Sequence, residues 1–131
     1  MAKKKSLLQE RVVYKPFEYQ QAADYWLKQH QAHWLHTEVP MMSDLTDWNS
    51  NLSETEKNII GSILKGFAQT ETVVNDYWSG LVTKWFRKPE VIAMATTFGA
   101  FETIHAEAYS LLNETLGLEN FAEFMEDEAT M

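Results

Sequence analysis

The sequence contains no cysteine among its 131 residues. Disulfide bonds, thiolate metal sites and cysteine nucleophiles are therefore excluded, and a bound metal needs Glu, Asp or His ligands. Glycine and proline are scarce, at five and three residues, so long uninterrupted helices are possible. No apolar run reaches the length of a membrane-spanning helix, and none follows the N-terminal lysines as a secretory signal requires. We therefore expect a cytoplasmic protein.

Positive charge is also in short supply, because the formal net charge is −8. A negatively charged chain has no general affinity for nucleic acid phosphates, so we expect no nucleic-acid partner. Because no run is long enough to span a membrane, we expect no membrane partner either. The one basic cluster, Lys3–Lys5, is typical of a solvated terminus. Apolar residues make up 45% and charged residues 23% of the chain, which is typical of a globular domain.

The spacing of apolar residues predicts an all-α fold. Residues 1–15 show no periodicity and are predicted to form an irregular arm, followed by one domain over 16–131. Pro16 suits a first helical turn, and the pattern after it predicts a helix to about His33. Residues 34–52 carry many turn-forming residues and are predicted to be mainly an extended connection.

Two longer helices follow this connection. Residues 53–56, Ser-Glu-Thr-Glu, match a capping box and predict a helix that ends near Gly80. The next helix is predicted to start near Pro89 and to stop at Gly117, and residues 118–129 favour a further acidic helix. Long helices with short links indicate a bundle. The two apolar stripes are Ile60, Ile63, Leu64, Phe67, Glu71, Val74 and Trp78, then Val91, Met94, Ala95, Phe98, Phe101, Glu102, His105, Tyr109 and Leu112.

Three polar side chains interrupt these stripes, namely Glu71, Glu102 and His105. Burying an ionised carboxylate requires a compensating cation, a proton or solvent access. Glu102 and His105 lie one turn apart on one face, and carboxylate with imidazole suits iron or manganese. Bundle di-metal sites combine two single Glu with two Glu-x-x-His pairs, so this chain offers half of such a set. A hydrogen-bonded core histidine and a solvent-facing Glu71 remain the alternatives.

One tyrosine and a row of histidines complete the candidate residues. Tyr109 lies one turn beyond His105, where an oxidising metal centre could remove an electron and a proton; a buried tyrosine with an ordinary hydrogen bond is the alternative. The three histidines His30, His33 and His36 drift around a helix, and we interpret them as surface or interface residues.

Several segments resemble the small, radical-generating subunit of class I ribonucleotide reductases. Residues 101–110 match the family's E-T-I-H-x-x-x-Y core, and residues 34–41 match its W-x-x-x-E-[IV] stretch. Residues 47–57 are similar to the acidic entry to its next helix, and the likeness extends over about 14–125. The resemblance implies the N-terminal half of a ferritin-like helical bundle, incomplete in this chain.

The resemblance also implies roles for individual residues. Glu71 matches the first metal ligand, Glu102 the bridging carboxylate and His105 a terminal ligand of a di-metal centre. Iron is expected first in that centre, with manganese as the alternative. Tyr109 matches the residue that holds the stable radical. Trp34 matches the tryptophan that relays an electron and a proton toward the large subunit, and a packing ring at a helix end is its alternative.

The family's two further carboxylates and second histidine have no match in this chain. The first hypothesis is therefore a split subunit of ribonucleoside-diphosphate reductase, inactive alone, whose missing C-terminal half is supplied by another chain. The completed small subunit is expected to dimerise and to serve a large subunit that makes deoxyribonucleotides. A second hypothesis is a homodimeric, ferritin-like oxidase or metal-binding protein with half a site per chain. A third is a non-catalytic remnant.

Overall fold

The structure, a computed structural model, describes residues 6–118. Within that range every regular element is helical and no strand occurs, which confirms the all-α fold class. Among the described helices, none combines the length and apolar character needed to cross a membrane. The Lys3–Lys5 cluster and almost all of the helix predicted over 118–129 lie outside the described residues. The helices are α1 (Gln20–Gln31), α2 (Asp44–Ser50), α3 (Glu54–Asp76), α4 (Thr83–Trp85) and α5 (Pro89–Thr115).

Shorter helical segments connect these elements. Two single 3₁₀ turns, His36–Glu38 and Met41–Ser43, lead into α2, and a π-helical segment, Tyr77–Val82, joins α3 to α4. The chain divides into two compact units. The first unit contains the described residues up to His33 together with Val73–Thr103, and the second contains Trp34–Thr72 with the described residues from Ile104 onward. Both α3 and α5 contribute residues to each unit.

The first unit has a small apolar core built from α1, the π-helical segment and α5. Its buried members are small or β-branched, which lets these segments approach closely. Larger rings and aliphatic chains pack around them and stay partly exposed. The buried residues are Ala22, Val82, Val91 and Ala95, and the partly buried ones are Leu7, Tyr19, Trp78, Phe86 and Met94.

The prediction that α1 includes Pro16 is wrong, because α1 begins at Gln20. The backbone N–H groups of Glu18 and Tyr19 donate to Oε1 of Glu90, at 3.0 and 3.1 Å. A carboxylate from another helix therefore satisfies the donors just ahead of α1, and the chain enters the helix later than the periodicity suggests. The C-terminal end at Gln31 lies close to the predicted end.

Glu90 is the centre of a buried ionic cluster that we name the Glu90 clamp (Arg11, Glu18, Lys88 and Glu90). Arg11 donates to both carboxylate oxygens of Glu90, and Nζ of Lys88 lies 2.8 Å from Oε2 of Glu18. The side chains of Lys88 and Glu90 are 0% exposed. Burial alone raises the pKa of Glu90, but the hydrogen bonds from Arg11 and the backbone outweigh it and lower this pKa to about 2.

The capping box predicted at the start of α3 is confirmed. The backbone N–H of Ser53 donates to Oε2 of Glu56 at 2.7 Å, and Oγ of Ser53 accepts from the N–H of Glu56 at 3.3 Å. The same backbone hydrogen bond is the main cause that lowers the pKa of Glu56. The reciprocal bonds fix the first turn of α3 in the second unit.

The prediction that residues 34–52 form mainly an extended connection is wrong for its second half. Asp44–Ser50 is helical, and Met41 and Trp48 are buried within the second unit. Asn51 caps the end of this helix, with Nδ2 donating to Oδ1 of Asp47 at 2.5 Å. Tertiary burial of a tryptophan thus overrides the turn-forming character of the local sequence.

The helical path also continues past Gly80, where an end was predicted. Hydroxyls bond back along the chain, from Ser79 to O of Asn75 at 2.7 Å and from Thr83 to O of Ser79 at 2.5 Å. A glycine ends a helix when it adopts a positive φ, and Gly80 does not adopt one. The path therefore widens into a π-helical turn and runs on to Trp85.

Both predicted limits of α5 are confirmed, since the helix starts at Pro89 and is closed by Gly117. Gly117 has a φ of 78°. Its N–H donates to O of Glu114 at 3.1 Å, and the N–H of Leu118 donates to O of Asn113 at 2.7 Å. These two bonds define a Schellman motif, which satisfies the last carbonyl groups of the helix.

Candidate metal centre

Helices α3 and α5 bring the three predicted metal ligands together. Glu71 lies near the C-terminal end of α3, and Glu102 and His105 lie one turn apart on α5. One ligand atom from each residue lies within 4.8 Å of the other two. All three side chains are half-buried. Two carboxylates and an imidazole at this separation form a donor set that suits iron or manganese.

The separation between Glu71 and His105 is informative. Oε2 of Glu71 lies 3.7 Å from Nδ1 of His105, which is too long for a hydrogen bond. Two donors that bind one ion at roughly 2.1 Å each can lie up to roughly 4.2 Å apart. The pair therefore fits a shared ion without rearrangement, whereas a pair at the 4.8 Å limit needs a small movement or a second ion.

Trp34 lies in the irregular stretch between α1 and the first 3₁₀ turn. Its ring stacks on the ring of His105, with the centroids 6.2 Å apart and the planes 24° from parallel. Trp34 is also 39% exposed to solvent. An exposed indole that is stacked on a candidate ligand connects this ligand to the surface of the second unit.

Tyr109 lies one turn after His105 on α5 and is half-buried. Its ring centroid lies 5.3 Å from that of Phe67 on α3, with the planes tilted by 44°. An aromatic neighbour gives the phenol an apolar side that offers no hydrogen-bonding partner.

The three histidines outside the ligand group lie in different surroundings. His30 and His33 are exposed and pack against the ring of Phe101, at centroid distances of 5.9 and 5.6 Å. His36 is half-buried, and its Nε2 lies 4.0 Å from a carboxylate oxygen of Glu107. The structure does not bring any of the three into the ligand group.

Asn75 is not among the predicted site residues, yet it joins α3 to α5 beside the ligands. Its Nδ2 donates to O of Gly99 at 2.7 Å and to Oγ1 of Thr103 at 3.1 Å. A polar residue four positions after Glu71, on the same helix face, is the sequence signal that identifies it. The Glu90 clamp has no such local signal, because the hydrogen bonds that form it join residues 70 or more positions apart.

Comparisons with known proteins give the same assignment as the motifs. The model of the family described as ribonucleotide reductase, small chain, matches residues 11–130. The chain is 37% identical to the probable ribonucleoside-diphosphate reductase small subunit of Invertebrate iridescent virus 6 and 38% identical to that of Invertebrate iridescent virus 3. These matches cover 86% and 94% of this chain but only 31% and 33% of the relatives.

A solved structure shows a similar fold. The chain superimposes on dimanganese(II)-NrdF from Streptococcus sanguinis with a TM-score of 0.73, at 25% identity, over 90% of this chain and 41% of the other. This likeness confirms the predicted ferritin-like helical fold. The chain spans about a third of the length of the curated relatives that it matches. Because the family model covers nearly all of its sequence, the chain belongs to the ribonucleotide reductase small chain family.

Proposed function

We propose that this chain forms part of the small, radical-generating subunit of ribonucleoside-diphosphate reductase. The observation that carries the proposal is the convergence of Glu71, Glu102 and His105 within 4.8 Å. Membership of the small chain family supports it, since three donors of this chemistry occur together in a chain of that family. The reaction served is the reduction of ribonucleotides to deoxyribonucleotides on a separate large subunit.

The donor set holds part of a di-metal centre. In the family's arrangement, Glu102 would be the carboxylate shared by the two ions, His105 would be a terminal ligand and Glu71 would hold the first ion. Carboxylate and imidazole donors accept both iron and manganese. The similar structure from Streptococcus sanguinis is described as dimanganese, and iron is the first choice that the motifs imply. When bound, the metal pair supplies the oxidising power that the protein's own side chains lack.

The chain's residues hold and transfer the oxidising equivalent. Tyr109 gives up an electron and its phenolic proton, and the ring of Phe67 keeps one side of it apolar. Trp34 would relay this oxidising equivalent to the large subunit. An electron and a proton from the large subunit would return through Trp34, by its exposed edge and its stacking on His105, to the oxidised Tyr109. His105 therefore has two roles, as metal ligand and as contact of the relay tryptophan.

The remaining ligands come from a second polypeptide that carries the rest of the family fold. Glu71, Glu102 and His105 would supply half of the ligands of such a centre, and a second Glu and a second Glu-x-x-His would supply the others. Helix α3 also presents an exposed apolar row, Ile59, Ile63 and Phe67, which are 56%, 49% and 49% exposed. An apolar face at this spacing fits a partner helix. The completed small subunit then dimerises.

Electron paramagnetic resonance of the reconstituted pair tests this function. The chain is mixed with the C-terminal two thirds of the Invertebrate iridescent virus 6 relative, loaded with Fe²⁺ and exposed to oxygen. A tyrosyl signal is expected, absent in Tyr109→Phe and retained in Tyr25→Phe, which changes an exposed tyrosine. A signal that survives in Tyr109→Phe removes Tyr109 from this role.

A homodimeric half-site protein is the second candidate. The same three donors favour it, since a two-fold axis turns one Glu and one Glu-x-x-His into a full bundle set. Native mass spectrometry of the chain alone with Mn²⁺ separates the two. A dimer that holds two ions and dissociates in His105→Ala supports the homodimer and contradicts the split subunit.

A further inference from the structure

One polar contact between α3 and α5 lies next to the candidate metal ligands. Asn75 lies four residues after Glu71, so both side chains project from one face of α3. The acceptors of Asn75 are on α5, where Gly99 lies one turn before Glu102 and Thr103 directly follows it. Asn75 therefore lies about one turn from the ligand Glu71 on α3, and its two acceptors lie within one turn of the ligand Glu102 on α5.

The orientation of the Asn75 amide is fixed from both ends. The backbone oxygen of Gly99 can only accept, so the NH₂ group of Asn75 must face α5. Its Oδ1 lies 3.1 Å from Oγ of Ser79, one turn further along the chain. The same hydroxyl lies 2.7 Å from the backbone oxygen of Asn75. An amide held in this way has little freedom to rotate.

Gly99 permits the close approach that these bonds require. A Cβ atom at this position would lie 3.1 Å from Cβ of Ser79 and 3.5 Å from the backbone oxygen of Asn75. The first distance is shorter than ordinary carbon contacts, so a side chain at this position would require the neighbouring Ser79 to move by a few tenths of an ångström. The missing side chain and the bonds of Asn75 thus set the same helix spacing.

We infer that Asn75 is a positioning residue for the metal centre. Its hydrogen bonds fix the position of α5 along its axis and its rotation about that axis, so that Glu102 faces the ion. This inference rests on the proposed function, because it assumes that the ligand group binds metal. Substitution of residues that hold metal ligands in place without binding the ion typically lowers the metal affinity by roughly 10- to 100-fold. Asn75 acts across the helix interface and does not bind the ion.

Titration of the full chain with Mn²⁺ tests the inference, with free Mn²⁺ measured by electron paramagnetic resonance. Asn75→Leu keeps the size of the side chain but removes its hydrogen bonds, and a Kd higher by roughly 10-fold is expected. Asn58→Leu is the matched control, since Asn58 is an exposed residue on the same helix, and its Kd is expected to equal the wild-type value. Circular dichroism confirms that each variant is folded.

Two further measurements distinguish a loss of the positioning role from a general loss of stability. The spectrum of bound Mn²⁺ is expected to broaden in Asn75→Leu, which a general loss of stability would not cause. Thr103→Val removes only the weaker acceptor at an exposed position, and roughly a 3-fold rise in Kd is expected. If Asn75→Leu fails to fold, an unchanged Kd in Thr103→Val overturns the inference.

The result for the wild-type chain separates this inference from the proposed function. If the wild-type chain takes up no more Mn²⁺ than His105→Ala, the proposed metal centre is refuted and the positioning role falls with it. If the wild-type chain binds Mn²⁺ and a folded Asn75→Leu binds it with the same Kd, only the positioning role is refuted.

Discussion

Replacing Glu90 with Gln removes the charge at the centre of the Glu90 clamp and preserves the shape of the side chain. The folded-state pKa of Glu90 is about 2, against an ordinary value of 4.5. At about 1.36 kcal/mol per pKa unit, this depression corresponds to about 3 kcal/mol of stability near neutral pH. Removing one partner of a buried ion pair has a cost of similar size, about 3–5 kcal/mol. We therefore expect Glu90→Gln to lower the free energy of unfolding by about 3 kcal/mol at pH 7.

The stabilisation that Glu90 provides is expected to decrease as the pH falls. Because the pKa of Glu90 is depressed on folding, its contribution is complete above the unfolded pKa and is lost as pH falls toward the folded pKa. About 2 kcal/mol of the difference between wild type and Glu90→Gln is expected to disappear between pH 7 and pH 3. The fall begins near the ordinary value of 4.5 and is not complete until the pH is below about 2.

Urea unfolding followed by far-UV circular dichroism, at pH 7, 5, 4 and 3, measures both quantities. Glu54→Gln is the matched control, because the side chain of Glu54 is 87% exposed and lies 3.4 Å from Lys57. Its substitution is expected to change stability by well under about 1 kcal/mol. A Glu90→Gln difference below about 1 kcal/mol at pH 7, or one that stays constant down to pH 3, refutes the reasoning.

Three further predictions concern local structure. Gly117→Ala is expected to cost about 1 kcal/mol in urea unfolding, because φ is 78° and nothing lies within 4 Å to add a clash. An unchanged midpoint would contradict the left-handed conformation. Ser53→Ala is expected to cost about 1 kcal/mol by removal of the cap of α3, and Ser50→Ala, at an exposed position, to cost much less. Trp48→Ala is expected to cost about 3–5 kcal/mol, and equal stability in thermal unfolding would show that Trp48 is not buried.

Short-range signals in the sequence predict much of the helical structure. The capping box at Ser53, the start of α5 at Pro89 and its stop at Gly117 each depend on bonds within a few residues. The late start of α1 could not be predicted in this way, because its donors bond to Glu90, more than 70 residues away. The helix around Trp48 depends on burial, which local turn propensity does not reveal.

In the candidate site, too, some features could be predicted from the sequence and others depend on the packing of the helices. Glu71, Glu102 and His105 could be selected because each interrupts an apolar stripe, and spacing alone places two of them on one helix face. The 3.7 Å between Glu71 and His105 needed the structure, since it depends on how α3 packs beside α5 in the second unit. The two bonds of Asn75 to α5 also cross between helices, so their geometry was not predictable from sequence.

The central claim is that the imidazole of His105 and the neighbouring carboxylates bind one metal centre. Pulsed electron paramagnetic resonance of the Mn²⁺-loaded chain detects a nitrogen bound to the ion directly. We expect coupling to one histidine nitrogen, lost in His105→Ala and retained in His36→Ala. A nitrogen coupling that persists in His105→Ala, or none in the loaded wild-type chain, would contradict the account.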